Sequence, residues 1–166
     1  MDFKKLIPDF GAIGTTEWGK PKFDTKDMKW LVGFICAALA IIFAFVPAWF
    51  SITLDGGIVK ATASAMGIGT WYGILAFIGA IVAIYGWLYE RYQFAFWGGA
   101  IILLFAIIGL FMVPGVTGPL GNDIPAEEVK EVMKGGIDHT VNRFGAILSL
   151  VAGALTAVCA YLKINE

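Results

Sequence analysis

The sequence predicts an all-α membrane protein: a bundle of four transmembrane helices with a short outer β-hairpin and a short outer amphipathic helix. Three observations predict it. Hydrophobic residues make up 58% of the 166, charged ones only 15%, and the mean hydropathy is +0.78, all outside the range of an ordinary soluble domain. Residues 71–113 hold two apolar runs around the polar break Tyr89-Glu90-Arg91-Tyr92-Gln93. Runs of about 20 residues, at about 1.5 Å each, cross a hydrocarbon core about 30 Å thick. With so few residues to turn in, these two helices must be antiparallel neighbours, their shared turn in water on one side of the bilayer. The third observation is a further apolar run on each flank. Spans are therefore expected at 30–50, 69–88, 94–113 and 144–162. Residues 1–29 are a cytoplasmic amphipathic and basic tail, 30–166 the membrane domain, and 51–68 and 114–143 its outer loops.

In the tail, Phe3, Leu6, Ile7 and Phe10 fall at helical spacing beside Lys4 and Lys5, a pattern suited to the headgroup layer; a disordered polar tail is the alternative. Gly11, Gly14, Gly19 and Pro21 mark turns. Asp24 or Thr25 is the expected N-cap of a helix that runs through Asp27 and Met28 into the membrane. The first apolar run starts only at Trp30 and lacks the cleavage pattern of a secretory signal, so the N-terminus is expected to be retained. That first span carries no charge, and Pro47 should kink its last turn.

Phe50-Ser51-Ile52-Thr53-Leu54 alternates apolar and polar, Asp55-Gly56-Gly57 tolerates a tight turn, and Ile58 to Ala63 resumes with β-branched residues. This reads as a β-hairpin, which in isolation is marginal in water and should lean on the helix ends, another loop or a partner chain. The second span has small residues at Gly69, Gly73, Gly79 and Ala83, the third at Gly98, Gly99, Ala106 and Gly109. Small residues let helices approach closely in lipid, where dispersion contacts take over from the hydrophobic drive. Past Pro114-Gly115, the run from Asp123 to Lys134 reads as a short amphipathic helix. Asp123 would be its cap, Pro125, Glu127 and Glu128 its first turn, and Gly135-Gly136 its stop. In the fourth span Gly145, Ser149, Gly153 and Ala157 recur four apart, a stripe that should face another helix.

Four spans place both termini on one side. Lys4, Lys5, Lys20, Lys22, Lys26, Lys29, Arg91 and Lys163 lie on that side, against Lys60, Lys130, Lys134 and Arg143 on the other. Eight against four predicts both termini in the cytoplasm of a multi-pass cell-membrane protein. Trp30, Trp87 and Trp97 fall at expected inner ends and Trp49 and Trp71 at outer ends, as interfacial rings do; Trp18 lies in the tail. A net charge of −1 and a pI near 5.8 argue for neither nucleic acid nor an acidic partner.

The composition excludes much chemistry. No Asp, Glu, Lys, Arg or His lies inside any expected span, whereas proton relays, voltage sensors and many ion-coupled transporters require such groups. One histidine is too few for a bis-histidine haem, and no cofactor is implied. Ser64, Ser149 and Thr140 have no evident base with an orienting acid, so no catalytic residue is assigned and no enzyme activity is expected. His139 with Asp138, Asp123, Glu127 and Glu128 is a weak candidate for a divalent metal, and Met66, Met112 and Met133 for copper(I), without any recognised ligand spacing. Cys36 and Cys159 lie in apolar runs and read as packing thiols. Ser149 and Thr156 are the hydroxyls a pore through an oligomer would use, although hydroxyls in spans more often bond their own helix.

In layout, four spans with a β-prone first outer loop, the chain resembles the claudin-like tetraspan proteins. The Trp-Gly-Leu-Trp and paired-cysteine signature of that family is absent from 51–65, so no residue role carries over. The function expected first is a noncatalytic subunit or scaffold that packs in the lipid bilayer against other membrane proteins or itself, with Gly145, Ser149, Gly153, Ala157, Gly73 and Gly79 as helix-packing contacts. One alternative is an oligomeric channel or transporter for a small neutral solute. The other is an outer-face accessory protein for copper or zinc, its weak ligand candidates being His139, Asp138 and Met133.

Overall fold

The computed structural model describes residues 3–8, 19–47, 49–57, 60–136 and 138–166. The expectations for Phe10, Gly11, Gly14, Trp18, Ile58 and Val59 lie outside the described residues. Four helices are long and apolar enough to cross a membrane: α1 (Met28–Phe45), α2 (Trp71–Leu88), α3 (Tyr92–Phe111) and α5 (Phe144–Ile164). The protein is mostly helical, with a short helix α4 (Ala126–Lys134) and one antiparallel sheet.

The helix ends follow from local chemistry. Asp27, not Asp24 or Thr25, caps α1: its Oδ1 accepts from Lys29 N at 2.8 Å and Trp30 N at 3.3 Å. Asp24 instead closes the preceding turn by accepting from the backbone of Lys26 and Asp27. Pro47 does not kink the end of α1. The helix stops at Phe45, because the residue before a proline is pushed out of the helical region, and Val46 is extended (φ −72°, ψ 129°). Thr70 caps α2, its Oγ1 accepting from Gly73 N at 3.1 Å while donating to Gly67 O at 2.8 Å. Between α2 and α3, Glu90 takes the left-handed φ of 53° and Arg91 N donates back to Gly86 O at 2.8 Å, the closing bond of a Schellman turn.

The long helices form a ring in which α1 packs on α2 and α5, and α3 on α2 and α5. The small residues make these approaches possible. A Cβ on Gly98 would sit 2.5 Å from Ala83 N, and one on Gly99 2.6 Å from Ala157 N. Gly33 of α1 makes room for the Trp87 indole of α2, and Thr156 of α5 donates across to Gly33 O of α1 at 3.3 Å. Thr156 thus bonds a neighbouring helix, not its own. Three tryptophans expected at the interfaces are core instead: Trp30, Trp49 and Trp87 are 2%, 1% and 0% exposed, with Trp30 Nε1 donating to Trp87 O at 3.0 Å. Trp71 and Trp97 remain on the surface. Cys36 and Cys159 are buried free thiols on the adjoining helices α1 and α5.

The start of α1 and the end of α5 meet at one end of the bundle. Lys163 Nζ is 2.6 Å from Asp27 Oδ2 and 2.5 Å from Glu166 Oε2, and Lys29 also pairs with Glu166. The tail folds onto the same end. Lys22 N donates to Leu88 O at 2.8 Å, its Nζ pairs with Glu90 at 2.6 Å, and Trp97 Nε1 donates to Leu6 O at 2.7 Å.

At the opposite end the hairpin leans on the second outer loop, one of the supports expected for it. The hairpin of β1 (Phe50–Asp55) and β2 (Lys60–Ala65) does not stand alone. The loop between α3 and α5 adds β3 (Val116–Thr117), β4 (Asp123–Ile124) and β5 (His139–Asn142), giving a five-stranded sheet in the order β4-β3-β2-β1-β5. Asp123 is therefore a strand residue and not the cap of α4; the cap position belongs to Pro125. Helix α4 lays Val129, 2% exposed, with Val132 and Met133 against Phe50, Ile52, Ala63 and Val116 on one face of the sheet. That burial is what a two-stranded ribbon lacks.

Candidate functional site

Period-two alternation gives the sheet two unlike faces. The face under α4 is apolar. On the other face the register aligns Asn142, Ser51, Ser64, Thr117 and Asp123 in one row across all five strands, with Thr140, Thr53 and Thr62 in the next. Adjacent members bond one another: Thr53 and Thr62 hydroxyls are 3.0 Å apart, and Thr117 Oγ1 donates to Asp123 Oδ1 at 3.2 Å.

Where this polar face meets the ends of α1 and α2 there is an open cleft of about 860 Å³. Thr62, Ser64, Thr117 and Asp123 line one side. Pro47, Met66, Ile68 and Gly69, from the chain leaving α1 and entering α2, line the other. No lysine, arginine or histidine lines it among the described residues. Such a surface offers hydroxyl donors and acceptors, one carboxylate and an apolar floor. Its one carboxylate, Asp123, accepts from the Thr117 hydroxyl, and the hydroxyls beside it offer donors and acceptors to a bound group.

Of the sequence-predicted metal candidates, Asp123 and His139 lie apart. Asp123 on β4 and His139 on β5 occupy opposite edges of the sheet, four strand spacings of about 4.8 Å apart. His139 pairs with Leu54 on the α4 side, Asp138 gives its carbonyl to Asp55 N at 2.9 Å, and Met133 packs under the sheet while Met66 lines the cleft. Among the described residues no group of three or more His, Cys, Asp or Glu side chains lies close enough to hold a metal ion.

The helix-packing candidates all lie at contacts within the chain. Gly153 of α5 faces Gly99 and Leu103 of α3, and Ala157 faces Gly99. Gly79 faces Gly98 and Ile101, and Gly73 lies against the Gly67 backbone. Gly145 and Ser149 are buried, and Ser149 Oγ finds no hydrogen-bond partner among the described residues. These stripes are therefore occupied by the chain itself. The outward faces carry bulky side chains instead: Ile35, Leu39 and Ile42 on α1, Ile74, Ile78 and Ile81 on α2, Leu104 and Ile107 on α3, Ile147, Val151 and Leu155 on α5.

Sequence reasoning missed the cleft. The hydroxyls of Ser51, Thr53, Thr62 and Ser64 alternate visibly along the hairpin, but nothing in the order of residues pairs Ser64 with Thr117. No protein family, curated protein or solved structure matches the chain when sequence and fold are compared.

Proposed function

We propose that the chain is a noncatalytic multi-pass membrane protein, both termini cytoplasmic, that serves as a scaffold or subunit and meets its partners through the outer β-cap. The observation that carries this is the use of the small-residue faces. Close helix contacts in lipid need glycine, alanine or serine at the interface. Every such stripe singled out is turned inward, and the outward faces are bulky aliphatics suited to acyl chains. What remains for recognition is the cap, with its polar sheet face and cleft. The cytoplasmic placement of the termini rests on the excess of Lys and Arg at that end.

The test is extraction in a mild detergent and identification of chains that leave with the protein. Companions should persist when the lipid-facing Leu104 and Ile107 are changed to Ala, and be lost with Thr62→Arg. A monomer without companions, or companions lost only with the Leu104 and Ile107 changes, would refute the assignment.

A further inference from the structure

The cleft lies where the sheet meets the ends of α1 and α2. Its floor comes from the two chain segments that leave α1 and enter α2, and its wall from the polar sheet face. An occupant would therefore touch hydroxyls on one side and apolar groups on the other. Three properties narrow the occupant further. With no cation lining the cleft among the described residues, a phosphate would meet the Asp123 carboxylate unscreened. The polar groups are those that pair with neutral hydroxyls: a carboxylate that accepts, and Thr62, Ser64 and Thr117 that donate and accept. The volume of about 860 Å³ suits a group the size of a sugar with part of its anchor.

The floor agrees with an amphiphile. The floor side of the cleft is apolar, formed by Pro47, Met66 and Ile68. At Gly69 nothing lies within 4 Å of where a Cβ would stand, so the floor is open there.

We propose that this cleft binds an outer-leaflet lipid with a neutral, polyhydroxylated headgroup, the sugar seated on Thr62, Ser64, Thr117 and Asp123 and the glyceride end over Pro47, Met66 and Ile68. This rests on the cap being the working part of the protein, and it names what the cleft holds.

The test uses the full chain in detergent, with native mass spectrometry of adducts formed with galactosyl diacylglycerol, phosphatidylglycerol, phosphatidylcholine or free lactose. The galactolipid should be retained in preference to both phospholipids and to lactose. Gly69→Leu, which fills open space, and the pair Thr117→Val with Asp123→Asn should each weaken retention about tenfold or more without moving the thermal midpoint. Equal retention of phosphatidylglycerol overturns the headgroup assignment, and lactose binding as tight as the lipid overturns the amphiphile. Undiminished retention in both variants overturns the site. If Gly69→Leu releases a co-purifying polypeptide while no glycolipid is held, the cleft is a protein site and only this proposal falls.

Discussion

Gly153 is one of the places where α5 lies close against α3, and a single methyl there tests whether the bundle depends on that approach. An alanine Cβ at 153 would lie 2.7 Å from Leu103 N, 2.9 Å from Ile102 Cγ2 and 3.0 Å from Gly99 O. Two of those atoms are backbone and cannot rotate away. Ordinary contact begins at 3.4 Å, so the nearest is 0.7 Å too close and the helices must part by a comparable amount. A gap of about 0.5–1 Å forfeits a quarter to a half of the dispersion well for every atom pair it opens. In lipid, dispersion is a large share of what holds helices together. Overpacking of this kind costs about 1–3 kcal/mol. Gly153→Ala should fall in that window and Gly153→Ile beyond it, measured by reversible unfolding in mixed micelles followed by helical circular dichroism. Gly99→Ala strains the same crossing, with its Cβ 2.6 Å from Ala157 N. The double variant should therefore cost less than the two singles together. Gly69→Ala, in open space, should stay within about 0.5 kcal/mol of the parent. If Gly153→Ala proves as neutral as Gly69→Ala, the glycine crossing is not what sets the α3–α5 distance and the reasoning fails.

Other outcomes follow from the ends of the helices. Lys163, and to a lesser degree the Trp30 and Lys29 amides, hold the Asp27 carboxyl below its ordinary value of 3.8. A depressed folded value gives stability that is present above the unfolded value and lost as pH falls through the folded one. Acid unfolding below about pH 4 should therefore be shallower in Asp27→Asn, which keeps a capping oxygen. Asp27→Ala should additionally lose about 1 kcal/mol of cap at neutral pH, and an unchanged acid limb in Asp27→Asn would count against the linkage. Glu90→Gly should stabilise by about 0.5–1 kcal/mol, because only glycine adopts the left-handed turn without strain; a net loss in chemical unfolding would mean that the Lys22 pair outweighs it. Trp87→Ala, emptying the notch at Gly33, should cost about 3–5 kcal/mol in the same assay, and a loss under half of that would show that the notch collapses. For orientation, an impermeant thiol reagent added to intact cells should label Glu131→Cys and leave Lys26→Cys unreacted, the native thiols being buried; the reverse pattern would invert the topology.

The four long apolar helices were legible in the sequence because length and hydropathy are local properties, and lipid leaves the backbone few other options. Their ends shifted by a few residues where one atom decided the cap, as when Asp27 took the place expected of Asp24. Hydropathy could not say which tryptophans are buried, since Trp30 and Trp97 read alike until Trp87 and Phe34 pack against one of them. The glycine stripes announced close packing but not the partner, because one small face fits a neighbouring chain or its own next helix equally well. The cap was the least legible part. Its strands β3 and β4 are two residues each, too short for any periodicity, and become strands only when Ser64 and Val129 are already in place to receive them. Composition and span length thus determined by themselves that this chain has four helices fit for a bilayer. The polar row, the cleft and the inward turn of the glycines belong to tertiary structure, since each is made by residues that meet only after the chain has closed on itself.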